Sequence, residues 1–129
     1  MFDLIKYKLN AGLISDIGRK RLENQDNFSF GDFINADRKE HVEQELKGQK
    51  LPQAYGIMDG MGGEKLGAQA SLEAAGFFSS VYKEILSDLN TADNKKKERI
   101  FEDLVYTLNE RIRKMAREQG VRRSGTTLA

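Results

Sequence analysis

Cysteine and tryptophan are absent from this 129-residue chain, and histidine and proline occur once each. Without cysteine there are no disulfides and no thiolate metal sites, and one histidine removes most zinc chemistry. Any metal bound here must be one that prefers oxygen ligands. Charge of one sign is lacking too: 21 Lys and Arg stand against 20 Asp and Glu, a net charge of +1. Polyanion binders carry a basic surplus, so the expectation is no nucleic acid and no membrane as partner. No apolar run approaches a membrane span, and the N-terminal MFDLIKYKLN lacks the basic, apolar, small-residue order of a signal peptide. A cytoplasmic location is the default expectation. What is present, 39% hydrophobic and 32% charged residues, fits one soluble domain long enough to bury a core.

The first third reads as strands. Residues 7–14 (YKLNAGLI) and 26–33 (DNFSFGDF) show partial alternation, which puts Phe28 and Phe30 on one face. The polar stretch SDIGRKRLENQ between them reads as a loop. Residues 35–53 combine many charges, the proline and no clean period. They read as an exposed insertion or hairpin tip, with one helical turn possible in the middle, before a short strand AYGIMD. Two helices follow. Ala70, Ala74, Phe77, Phe78, Val81, Ile85 and Leu89 recur at helical spacing over 65–89. After the break TADN, with Asp93 or Asn94 as N-cap, a second stripe runs through Phe101, Leu104, Val105, Leu108, Ile112 and Met115. Both stripes read as core. The segment SGTTLA reads as the start of another strand. The fold class is therefore α+β, layered, with no internal repeat.

The stretch GIMDGMGGEKLG, residues 56–67, carries the chemistry. Glycine loses the most conformational entropy on folding, so such a cluster implies a ligand or backbone in close approach. A Walker A loop needs glycine, lysine and then Ser/Thr, whereas Lys65 follows Glu64; a dinucleotide fingerprint begins with Gly60 and Gly62 but meets Lys65 at its sixth position. Asp59 inside the loop would repel a phosphate unless a cation stood between them. A hard divalent cation such as Mg²⁺ or Mn²⁺ takes carboxylate and carbonyl oxygens, here Asp59 and the Gly60 carbonyl. A second carboxylate, Asp26, lies in GRKRLENQDN with Arg21 five residues earlier, and guanidinium grips phosphate with a planar fork of donors. Together these residues suit phosphate-ester hydrolysis with a metal-activated water. The plainer readings are a turn-forming aspartate and a solvated surface arginine.

At these residues the chain resembles the N-terminal half of a metal-dependent Ser/Thr protein phosphatase of the type 2C (PPM) family, in its bacterial form. SDIGRKRLENQDNF is similar to the family's Gly-x-x-Arg-x-x-Asn-(Glu/Gln)-Asp segment, at Gly18, Arg21, Asn24 and Asp26. YGIMDGMGGEKLGAQAS is similar to its Asp-Gly-Met-Gly-Gly turn and helix start, with Gly62, Gly63, Gly67, Ala70 and Ser71 in place, and SGTTLA to the strand after the helices. The resemblance implies a partial α-β-β-α sandwich of antiparallel sheets flanked by helices, truncated after the second long helix. It implies two Mn²⁺ or Mg²⁺ ions, with Asp59 bridging both and the Gly60 carbonyl and Asp26 on one of them. Arg21 would hold the substrate phosphate, and a water activated by both ions would attack phosphorus in phosphoserine or phosphothreonine of a protein substrate.

The departures are specific. Gln25 stands at a position often occupied by glutamate, Glu64 where bacterial relatives commonly have histidine, and Met61 where some eukaryotic relatives carry a proton-donating histidine. His41, in the charged insertion, reads as a plain surface residue. The family's domain is longer and its other metal-binding aspartates lie in a part not represented here. The expectation is an inactive or weakly active chain that dimerises or swaps elements through unpaired sheet edges. Two rival readings stay open: a phosphatase-like module that binds phosphoproteins without cleaving them, and an assembly piece with no independent function. The basic tilt of residues 95–123 reads as a solvated face, or as a docking surface for phosphoprotein substrates.

Overall fold

Two residues apart on a strand, Phe28 and Phe30 share a face, and that face decides how the sheets stack. They are buried with Val42, against Ala11, Leu13, Leu46 and Tyr55. The computed structural model describes residues 7–62 and 66–129. Its elements run β1 (Lys8–Asp16), β2 (Asp26–Phe30), β3 (His41–Lys50), β4 (Tyr55–Met61), α1 (Leu66–Thr91), α2 (Asn94–Glu118) and β5 (Gly125–Thr126). They form two antiparallel sheets, β1–β3 and β2–β4–β5, with two helices: an α+β fold. The phenylalanine face joins the two sheets. The opposite face of β2 and β4 meets α1, where Met58 is fully buried among Ala70, Ala74, Ala75, Leu104, Leu108 and Ile112. Helix α1 contacts β2, β4, β5 and α2, so it is the central layer between sheet and outer helix.

The alanine-rich face of α1 lets its axis approach the sheet closely, and larger side chains such as Phe77, Phe78 and Val81 fill the margins. Helix α2 starts where the sequence indicates: Asp93 caps it, its carboxylate accepting the Lys96 N–H at 2.8 Å. Its stripe is narrower than the expectation. Leu104, Leu108 and Ile112 are buried, but Phe101 and Val105 are 51% and 56% exposed, because they border an open cleft shared with residues 124–126 and Leu128.

The region 35–53 corrects the expected insertion. Its second half is a ten-residue strand, β3, paired with β1 from Asp16↔His41 to Lys8↔Lys50. Only Val42 and Leu46 mark its inner face, too few to announce a strand. A bulge interrupts the ladder, with Gly48 at φ +63° and its N–H bonded to Asn10 Oδ1. The segment before β3 is held by a buried amide network. Asn27 accepts from the Asn35 N–H and donates to the Asn35 carbonyl, while Asn35 brackets Lys39. Strand β2 ends at Phe30, earlier than the pattern indicates, because Gly31 (φ +62°) turns the chain and Phe33 bonds back to Phe30.

Candidate functional site

The loop between β1 and β2 is tied at both ends. Asp16 closes β1 and its Oδ1 accepts the Gly18 N–H at 2.7 Å, in a turn where Gly18 takes φ +75°. At the far end the buried Asn24 donates to Ser15 Oγ at 3.0 Å and accepts the Asp26 N–H at 3.1 Å. One side chain thus fixes the start of β2 against the end of β1, and with it the position of Asp26.

Asp26 and Asp59 are directly opposed across the β2–β4 ladder. Opposed residues on antiparallel strands share a face, so the two carboxylates emerge side by side, on the face that joins the two sheets. Main-chain bonds hold Asp59 rigidly: its N–H goes to Thr127 Oγ1 (3.0 Å), and its carbonyl accepts the Thr127 N–H (2.9 Å) and Thr126 Oγ1 (3.0 Å). Behind the pair, the Gln25 carbonyl accepts both the Gly60 N–H (3.1 Å) and the Ser71 hydroxyl (2.6 Å), tying β2, β4 and α1 together. The acidic pair has an electrostatic signature. Partial burial first, and then the charge and hydrogen-bonding reach of Asp59, push the Asp26 carboxyl above its ordinary range.

At Gly60 the close approach is that of backbone, one of the two approaches the glycine cluster implies. A Cβ there would fall on the Gly67 carbonyl and 2.8 Å from the Gln25 carbonyl, while one on Gly67 would sit 2.8 Å from Gln25 Oε1. The missing side chains let the start of α1 rest directly on the strands.

A polar cleft of about 260 Å³ gathers Arg21, Asn24, Asp26, Asp59 and Gly60, five of the residues singled out by sequence, with Asp16, Ile17, Glu23 and Gln25. Arg21 is exposed and makes no ion pair among the described residues. Gly18 is in the supporting turn. Gly62 sits apart from the cleft, at φ +137° against Arg123 and Ser124, and Gly63 and Glu64 lie outside the described residues. Sequence reasoning missed Asp16, Glu23 and the supporting roles of Ser71, Thr126 and Thr127. Ser71 had a legible signal, a hydroxyl inside an apolar helix stripe; Glu23 had none. Glu23 pairs with Arg38 at 3.5 Å, and its Oε2 is buried without a hydrogen-bond partner among the described residues.

Among the described residues no group of three or more His, Cys, Asp or Glu side chains is placed to hold a metal ion. What the cleft offers is two opposed carboxylates, one of them disfavoured as an anion, beside an exposed guanidinium. No family model matches the chain, and neither a curated protein nor a solved structure matches it. The likeness to type 2C phosphatases therefore rests on its motif residues. Among the described residues no helix is long and apolar enough to cross a membrane.

Proposed function

We propose that the cleft between Asp26 and Asp59 binds a divalent cation, Mn²⁺ or Mg²⁺, and a phosphoryl group, as part of a metal-dependent phosphoserine/phosphothreonine protein phosphatase site. The observation that carries this reading is the register Asp26↔Asp59, which sets two carboxylates together in one cleft with Arg21. Asp26 and Asp59 would hold the cation together, with the Gly60 carbonyl as a further oxygen. What such an ion supplies when bound is positive charge that stabilises both carboxylates as anions and polarises water and the phosphoryl group. Arg21 binds and orients the phosphoryl oxygens with its fork of donors. Asn24, Thr126 and Thr127 hold the acidic residues in place, so that cation binding requires little rearrangement.

The test is Mn²⁺-dependent phosphate release from a phosphothreonine peptide, compared with Asp59→Asn. Turnover that disappears in the variant supports hydrolysis by these residues. The second reading, phosphoprotein binding without cleavage, is favoured by Arg21 being exposed and without an ion pair among the described residues. Peptide binding that depends on Arg21 but shows no turnover supports that reading, and neither binding nor turnover rejects both. We also propose that the chain self-associates, supported by the exposed apolar residues Phe101, Val105, Tyr106 and Leu128 beside β5.

A further inference from the structure

His41 opens β3 directly opposite Asp16, the last residue of β1. Its Nδ1 lies 2.7 Å from Asp16 Oδ2, and its Nε2 lies 3.3 Å from Glu43 Oε1. Asp16 is shared: while Oδ2 meets the imidazole, Oδ1 accepts the Gly18 N–H at 2.7 Å. Beside it the Ile17 N–H donates to the Glu40 carbonyl at 2.8 Å, so the start of the loop is fastened to the residues on either side of the β3 entry. Arg21 follows three residues after Gly18, and Asp16, Ile17 and Arg21 line the same cleft. A path of contacts thus leads from an imidazole, through a carboxylate and a backbone amide, to the Gly18 turn, which the arginine directly follows in the chain.

We propose that His41 and Asp16 are positioning residues for Arg21: the imidazolium fixes the Asp16 carboxylate, the carboxylate fixes the Gly18 turn, and the turn sets where the guanidinium meets a phosphoryl group. This role rests on the function proposed for Arg21. The charged groups that act on His41 are Asp16 from β1 and Glu43 from its own strand, both acidic. They favour the imidazolium and hold it above its ordinary range, chiefly through the Asp16 bond. Asp16 is in turn held below its ordinary range, first by the Gly18 N–H and then by His41. As pH rises and His41 loses its proton, the charge that fastens Asp16 is lost and the loop loosens. Phosphate affinity at the cleft therefore weakens with His41 deprotonation. The pair is exposed, so the effect is that of a surface ion pair, about twofold to fivefold in affinity.

The experiment uses the full chain with Mg²⁺, as wild type, His41→Gln, Asp16→Asn and Arg21→Ala. Two readouts are followed from pH 5.5 to 8.5: the amide NMR shift of Gly18, and the affinity for inorganic phosphate. In the wild type the Gly18 shift is expected to follow the His41 titration with the same midpoint, and in His41→Gln to be flat. The ratio of wild-type to His41→Gln phosphate affinity, which cancels the titration of phosphate itself, is expected to fall from about twofold to fivefold at the acid end to about one at the alkaline end. Asp16→Asn should behave like His41→Gln, and carries the same test should the histidine variant fail to fold. A Gly18 shift indifferent to His41, or an affinity ratio flat across pH while Arg21→Ala still weakens binding, overturns the positioning role alone. Phosphate affinity that is absent in the wild type, or unchanged in Arg21→Ala, removes the function proposed for Arg21 and the positioning role with it.

Discussion

Asp26 is destabilised as an anion by its partial burial and by Asp59 opposite it. Its folded pKa is raised, so the unfolded chain ionises first as pH rises past 3.8, and native stability falls until the folded carboxyl ionises too. Replacing it by Asn should therefore raise Tm at pH 7 in metal-free buffer, with the advantage over wild type vanishing below pH 3.8. Thermal melts across pH check this; equal melting points at neutral pH would mean that the carboxylates do not oppose each other. With the proposed cation site, Mn²⁺ should reverse the order by stabilising the wild type and leaving Asp26→Asn and Asp59→Asn unmoved, since a ligand that binds only the folded state adds stability with its concentration. The Asp16–His41 pair has two edges. Asp16, lowered from 3.8, contributes stability that is lost as pH falls through its folded value, and His41, raised from 6.5, contributes stability that is lost as pH rises through its own. The melting-point gap between wild type and His41→Gln should thus be widest between about pH 3.8 and 6.5 and close on both sides.

At the scale of elements, the decisive contact is the seat of α1 on β2 and β4. Gly60→Ala forces a methyl group into the Gly67 carbonyl, where backbone and not a flexible side chain must yield. A loss of about 3 kcal/mol is expected by urea unfolding. Gly12→Ala, on β1 with open space around it, should stay within about 0.5 kcal/mol of wild type and serves as the control. Ser71→Ala removes one hydroxyl bond to the Gln25 carbonyl and should cost about 1 kcal/mol. The elements differ in how much of them the sequence announces. Both helices carry long apolar stripes and α2 has a local cap, so local pattern suffices. Strand β3 has two inward apolar residues among charges and a glycine bulge, and only its partner β1 reveals it.

Over the whole molecule the polar cleft is smaller than an apolar one of about 690 Å³. The apolar cleft runs between α2 and β5, beside Phe101, Val105, Tyr106 and Leu128. Solvent-exposed apolar area next to a strand edge favours association. Light scattering at rising concentration should show species larger than monomer, and Tyr106→Lys should shift the population toward monomer. Monomer alone at high concentration would remove the self-association proposal.

The sequence by itself determined the helices, the Asp93 cap, and a lone aspartate set among glycines at a strand end, because each is a pattern of neighbours within a few residues. Arg21, Asn24, Asp26 and Asp59 were legible as candidates from residue type and spacing. That Asp26 stands opposite Asp59 was decided by the register of β2 on β4, and a one-residue slip would send either carboxylate to the helix face. The place of His41 against Asp16 was decided in the same way, by the pairing of β1 with β3. Such contacts join residues 25 or more positions apart, and only the packing of the sheets and α1 selects the register that makes them.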